Sequence, residues 1–267
     1  MNETFSPNLS HSIFRGMQAW WLVGPHQTGY AFRDMLRGKK ATATGTINSD
    51  MKVKWSYPKR EAGYSSYYSS DWYWDTGLTT LNSASSYSYS YWGRRNSSGC
   101  GMGASSSGTN RDCTSGYYGS NTIYVTVGSG GAYAEAINMW AVADAKWHHF
   151  VTVYDGSQAT NATRICLYMD GVKLTLAFPG SAIPATSGDH GGNSIYIGRD
   201  IGLAQYTRGN IDDVKVWNRP LTPAEAVFSY LDSLTNYRVM LPMASNPFVR
   251  VSAASAANHN LLLLGVG

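Results

Sequence analysis

Hydrophobic and polar residues alternate with a period of two along much of this chain. Residues 122–127, 147–154, 164–169, 194–198 and 209–217 each read as a short strand. Turn formers separate them. Asp155 with Gly156 marks one turn. Asp170 with Gly171 is the strongest hairpin signal, with residues 164–169 going out and 172–176 returning. Residues 85–92 alternate Ser with aromatic side chains, so one face is aromatic and the other polar, which predicts a core strand. Residues 64–70 are also Tyr and Ser but lack that alternation, and read as a loop with some Tyr exposed. Helical signals are nearly confined to residues 221–231. Thr222 stands at the N-cap, Pro223 at the first helical position and Glu225 three after the cap, which predicts a helix of about two turns. The expected fold is all-β, a two-sheet antiparallel sandwich or jelly roll with one short helix.

Composition narrows the function. The 267 residues suffice for one large all-β domain or two small ones. Charged residues are only 14%, the net charge is +4, and no basic cluster is longer than residues 37–40. Phosphate binding needs many cations on one face, so nucleic acid is not an expected partner. Aromatics at 13% exclude a disordered chain. The polar surface is built from Ser, Thr, Asn, Gly and Tyr, which suits uncharged partners, glycans or other protein surfaces. The first residues show no basic start followed by an apolar run, so no secretory signal is read. The longest apolar run, residues 261–264, is far short of the ~20 residues that cross a bilayer, so no membrane insertion is expected.

Cys100 and Cys113 flank a Gly- and Ser-rich stretch read as a loop. A disulfide there would close about a dozen residues and add ~3 kcal/mol; two free thiols are the alternative. Cys166 lies in an alternating segment and reads as a core thiol, and no cysteine spacing suits zinc. The tail from about residue 233 carries Tyr237, Met240, Phe248, Leu261, Leu262, Leu263 and Leu264. An apolar tail needs a cover: it packs back on the domain or docks on a neighbouring subunit.

Four blocks in order resemble the concanavalin A-like jelly roll of the laminin G-like family. They are Trp147, His148 and His149 leading to Asp155 and Gly156; residues 167–171; residues 195–198; and residues 209–217 with Leu221 and Glu225. Residues 15–21, 32–34 and 71–77 are similar to the family's opening strands. The resemblance covers residues 12–231. It leaves an N-terminal arm, 1–11, and an extended C-terminal tail, 232–267, as a docking or assembly segment. Members bind glycans or proteins, some bind calcium, related jelly rolls include glycosidases, and bacterial surface proteins and phage virion proteins carry the fold. The resemblance therefore implies the fold and leaves the function to the residues.

Glycoside hydrolysis needs two carboxylates facing one cleft. The chain has four Glu (Glu3, Glu61, Glu135, Glu225), none in the motif of the related glucanases. Asp71 and Asp75, four apart, form the best remaining pair and read rather as part of an edge turn. There is no Gly-x-Ser-x-Gly elbow, and His148 and His149 point to opposite faces of one strand. The chain is thus expected to be non-enzymatic and to require no cofactor. Asp189, Asp200, Asp212 and Asp213, near strand ends, are the candidates for calcium.

The leading expectation is a surface-displayed structural or binding module of a larger extracellular assembly, most plainly a phage virion, as a decoration or tail-associated protein. A virion protein leaves the cell by lysis, which reconciles an extracellular fold and a possible disulfide with the missing signal. A removed signal, a misassigned gene start or recombinant trimming would give the same start, and secretion is the alternative location. Expected partners are further copies of itself, as a homo-oligomer, or a capsid or tail protein gripped by the tail. A free lectin is the alternative, with Tyr64, Tyr67, Tyr68, Trp72 and Tyr117 as sugar-stacking candidates. A glycoside hydrolase is the second alternative.

Overall fold

The computed structural model describes residues 12–22, 33–38, 41–44, 64–65, 73–95, 99–105, 110–116, 122–136, 146–200, 205–206 and 209–239. The chain divides into two compact units, residues 1–231 and 232–267. In the first, the strands form two large antiparallel sheets. In chain order they are β1 (Met17–Leu22), β2 (Arg33–Asp34), β3 (Thr42–Thr44), β4 (Tyr64–Ser65), β5 (Tyr73–Asp75) and β6 (Ser86–Arg95). Next come β7 (Gly99–Ser105), β8 (Arg111–Gly116), β9 (Ile123–Val127), β10 (Ser129–Ala136) and β11 (Trp147–Asp155). A helical turn, α1 (Asn161–Arg164), precedes β12 (Ile165–Met169) and β13 (Val172–Lys173). Then follow β14 (Tyr196–Ile197), β15 (Arg199–Asp200), β16 (Gln205–Tyr206), β17 (Gly209–Trp217) and α2 (Pro223–Val239).

One sheet has eight strands in the order β13-β12-β11-β6-β17-β1-β2, with β4 paired to β17. The other has seven, β10-β9-β8-β7-β14-β5-β3, and β15 with β16 forms a small ribbon. This is the sandwich that the alternation predicts. The Asp170 hairpin is in place: Met169 faces Val172, and Asp170 and Gly171 both take positive φ (51° and 79°), as a type I′ turn requires.

The core between the sheets is tyrosine-rich. Tyr87, Tyr89 and Tyr91 of β6 are fully buried. On the adjacent strand Tyr154 stands opposite Tyr87 and Phe150 opposite Tyr91, with ring centroids 5.0 and 5.3 Å apart. Of the Gly- and Ser-rich stretch after Cys100, residues 101–105 and 111–112 are not loop but lie in the paired strands β7 and β8. Its glycine marks a close approach: a Cβ on Gly101 would lie 2.4 Å from the Tyr91 ring.

The serine face of β6 is not a solvent face. Ser88 and Ser90 are as buried as the tyrosines, because a second, smaller core covers the outside of the eight-stranded sheet. It joins Ile13, Val151, Val153, Tyr168, Trp217, Leu221 and Ala226. Ser88 Oγ donates to Arg219 O at 2.9 Å and accepts from Leu221 N at 2.9 Å, so these serines let the chain entering α2 lie close on the sheet. Helix α2 has 17 residues rather than about two turns.

The start of α2 has the expected cap. Glu225 N donates to Thr222 Oγ1 at 3.2 Å and Thr222 N donates to Glu225 Oε2 at 3.0 Å. Arg219 reaches both Glu225 oxygens at 2.7 and 2.8 Å and also donates to Ser12 O and Arg15 O, tying residues 12–15 to the helix start. The Arg219 guanidinium holds the Glu225 carboxyl down at about 2, against an ordinary 4.5. A depressed folded value stabilises above pH 4.5, and that stabilisation is lost as pH falls toward about 2. Glu225→Gln is therefore expected to cost about 1–2 kcal/mol at neutral pH. It should also flatten the loss of stability between pH 4.5 and about 2. Urea unfolding of both proteins across that range checks the sign.

Candidate functional site

The outward face of the seven-stranded sheet carries the chemistry that the core does not use. Register aligns Thr42, Asp75, Tyr196, Gly103, Cys113, Thr126 and Tyr133 in one row across all seven strands. Trp74 and Ile197 are in the core, so alternation turns Tyr73, Asp75 and Tyr196 to the other face of the sheet, where Tyr73 and Asp75 are half-buried and Tyr196 is buried. Tyr73 and Tyr196 meet edge to face, 4.8 Å between centroids at 89°. Gly198, at φ 90°, bends the chain from β14 into the ribbon, and Arg199 there sits 4.7 Å from the Tyr73 ring centroid. Asp75 Oδ1 accepts from Gly77 N at 2.9 Å and from the Ser194 hydroxyl. Burial and then the Asp75 charge push the Tyr196 phenol up, so it stays a neutral donor at physiological pH. Towards the other edge, half-buried Tyr124 and Tyr133 tilt together at 5.7 Å, with Glu135 two residues beyond.

The described carboxylates have structural partners or stand apart. Asp34 Oδ1 accepts from Trp20 N and Leu36 N. Asp155 is pushed up by burial, but hydrogen bonds from Ser157 and Gln158 outweigh this and hold it below its ordinary value. Asp170 accepts from His149 N at 2.8 Å and lies 2.6 Å from His148 Nδ1. His149 is buried and His148 half-buried on opposite sides of β11, as expected of adjacent strand residues. Asp75 and Glu135 both face outward but sit on β5 and β10. Five strand-to-strand steps of ~4.8 Å put them about 24 Å apart. A glycosidase pair needs about 5–10 Å.

The calcium candidates are dispersed in role. Asp189 accepts from Gly191 N in its own turn. Asp212 Oδ1 accepts from Asp213 N at a bulge in β17. Asp213 accepts from Trp20 Nε1 at 2.6 Å and Lys215 Nζ at 3.0 Å. The Asp200 side chain lies outside the described residues. Among the described residues no three His, Cys, Asp or Glu side chains gather as a metal site.

A buried node stands behind the face. Asp112, 0% exposed, accepts from Tyr87 Oη (2.9 Å) and Gly128 N (3.1 Å) on Oδ1, and from Gly188 N (2.9 Å) and His190 Nε2 (2.7 Å) on Oδ2. With Tyr154 Oη on Pro184 O and Arg164 on Ile183 O, it pins the irregular segment that links the sheets. It is closed to solvent and has a structural role.

Of the sequence's sugar-stacking candidates, Tyr64 is described by its backbone alone, on β4 beside Ile211, and Tyr67, Tyr68, Trp72 and Tyr117 lie outside the described residues, as does Asp71. Tyr237 lies in α2 with its side chain undescribed, and Met240, Phe248, Leu261, Leu262, Leu263 and Leu264 lie outside. Register sets Cys100 opposite Ser115 and Cys113 opposite Gly103; their side chains are outside the described residues. Sequence reasoning missed Tyr73, Tyr196, Arg199, Tyr124 and Tyr133. The alternation around Trp74 and Ile197 already carried that signal for Tyr73 and Tyr196.

Comparison with known proteins agrees with the architecture. No curated protein sequence matches the chain. Domain 4 of AbnA, a GH43 extracellular arabinanase from Geobacillus stearothermophilus solved with arabinotriose, superposes with a TM-score of 0.55 at 16% identity, over 80% of this chain and 98% of that one. The receptor binding domain of botulinum neurotoxin D gives 0.53 at 12%, over 84% of this chain and 54% of that one. Trypanosoma rangeli sialidase in complex with sialic acid gives 0.52 at 15%, over 82% and 33%. At these identities the likeness is one of fold, and the chain spans about a third of the sialidase and half of the neurotoxin domain. The concanavalin A-like lectin/glucanase family model matches residues 69–227, more than half the sequence and most of both sheets, and the chain belongs to that superfamily.

Proposed function

We propose that this protein is a non-enzymatic adhesion module that holds carbohydrate on the outward face of its seven-stranded sheet, displayed on a larger extracellular assembly such as a phage virion. The observation that carries the reading is that face itself: half-buried Tyr73, Tyr124 and Tyr133 stand among short polar groups, with buried Tyr196 packed against Tyr73, and its two described carboxylates are too far apart for glycoside hydrolysis. Aromatic rings present apolar surface to sugar C–H faces, and neighbouring hydroxyl and carboxylate groups bond sugar hydroxyls. The arabinotriose complex of the AbnA domain supports a saccharide on this fold. The separate compact unit at 232–267 and its apolar run at 261–264 support attachment to a neighbour.

The test is retention of the full chain on insoluble polysaccharides with release of reducing sugar measured in parallel. Retention without release is expected. Release that Asp75→Asn abolishes would turn the reading to a glycoside hydrolase, and no retention would remove carbohydrate from it. Sedimentation of native material from its source, with mass spectrometry of the particle fraction, tests display. The chain is expected beside a major capsid or tail protein, and recovery only as a free monomer would favour a free lectin.

A further inference from the structure

We propose that Asp75 is the ligand-orienting group of a subsite for an uncharged sugar, held against Tyr73 near the β3 edge of the seven-stranded sheet. The inference rests on the adhesion reading above and names its ligand class. Asp75 is half-buried and turned outward by its core neighbour Trp74. Its Oδ1 is fixed by Gly77 N and the hydroxyl of Ser194, a residue only 6% exposed. A carboxylate held by one oxygen presents the other in a set direction. Among the described residues no hydrogen bond reaches Asp75 Oδ2, which makes it an acceptor for a sugar hydroxyl.

The surroundings favour a neutral polyhydroxyl ligand. Tyr73 lies two residues away on the same face, about 7 Å along the strand, a span that one monosaccharide ring bridges. Tyr196 at right angles and Arg199 against the Tyr73 ring hold that wall rigid. Exposed Thr42, opposite Asp75 on β3, adds a hydroxyl that both donates and accepts. A uronate or sulfate in contact with Asp75 would meet its charge, an unfavourable approach that the Arg199 guanidinium on the Tyr73 ring offsets only in part. Asp75 thus selects against acidic glycans while bonding neutral ones, since a carboxylate acceptor forms stronger bonds than a neutral one.

The experiment uses the full chain on an array of neutral gluco-, galacto-, manno- and arabino-oligosaccharides printed beside uronate- and sulfate-bearing ones. Calorimetry then follows, with the tightest neutral oligosaccharide, for wild type, Asp75→Asn and Tyr73→Ala, and melting is recorded for each. Asn turns part of the acceptor into a donor, and Ala removes the wall. Each is expected to weaken binding by roughly 10- to 100-fold with the melting temperature of Tyr73→Ala little changed. Should Asp75→Asn fail to fold, Ser194→Ala takes its place: it releases one of the two bonds that fix the Asp75 carboxylate and is expected to weaken binding several-fold, and unchanged affinity there overturns the inference. A preference for acidic glycans, or unchanged affinity in both variants, overturns this subsite and leaves adhesion standing. A wild type that binds no printed glycan removes the adhesion reading and this inference with it.

Discussion

Asp112→Ala is expected to destabilise the first unit by about 3–5 kcal/mol, which for a domain of this size is a fall in melting temperature of roughly 10 °C. The carboxylate has no contact with solvent and serves four donors, two of them backbone amides at Gly128 and Gly188. Alanine leaves all four without an acceptor in a closed site, and each buried donor left so costs ~1–3 kcal/mol before relaxation. The damage should be local as well as global. Ser83 N bonds Gly188 O and Ser187 N bonds Ala84 O, so the linking segment is stitched to residues 81–84 beside this node. Amide exchange at Ser83 and Ser187 should accelerate in the variant more than exchange at Val125, deep in β9. Tyr87→Phe removes one donor and leaves the carboxylate three, and is expected to cost only about 1 kcal/mol. Burial and then the Asp112 charge push the Tyr87 phenol well up, so its proton is the one shared. Thermal and guanidinium unfolding decide the matter, and a loss below ~1 kcal/mol for Asp112→Ala would show that water replaces the carboxylate.

Asp112 also marks where sequence reading stops. The elements that were legible carry their cause within a few residues. Asp170 and Gly171 make their turn because both tolerate positive φ, and Thr222 and Glu225 cap α2 by reaching each other's backbone. The alternation of residues 85–92 gave the core strand and its inward tyrosines. Nothing near Asp112 announces its role, because its partners Gly128, Tyr87, Gly188 and His190 lie 16, 25, 76 and 78 residues away. The Gly- and Ser-rich composition around it reads as loop. Gly101 is there because Tyr91 occupies the space of its side chain, a fact about the opposite sheet.

The same limit applied to the candidate site. Asp75 was visible as an acid, but its partner Ser194 is 119 residues away, and the pairing of β5 with β14 is what sets Tyr196 beside it. The serines of β6 show the converse. Ser88 and Ser90 have the pattern of a wet face, and only the return of residues 219–229 over the sheet buries them. Period-two patterning tells which residues share a face and not what later covers it.

Asp213→Ala is expected to cost about 3–5 kcal/mol, and Lys215→Met in the same chain to restore much of that loss. Both residues are almost fully buried on β17, with Lys215 2% exposed. Lys215 Nζ donates to Asp213 Oδ2 at 3.0 Å and lies 5.1 Å from the Trp20 ring centroid, while the Trp20 indole donates to Asp213 Oδ1 at 2.6 Å. The bulge between Asp212 and Lys215 puts Asp213 at φ 51°, a backbone region that Asp and Asn tolerate better than Ala. Removing the carboxylate deprives a desolvated ammonium of this partner, which is the expensive half of breaking a buried pair. Removing the ammonium too leaves a lost indole bond and backbone strain, together about 2 kcal/mol. Asp213→Asn separates these effects, since it keeps an acceptor and tolerates the bulge but drops the charge. It should fall between the single and double variants. Equilibrium unfolding of wild type, Asp213→Ala, Lys215→Met alone and the double variant in a double-mutant cycle gives the coupling directly. A coupling near zero would mean that the bulge geometry, and not the ion pair, is what Asp213 supplies.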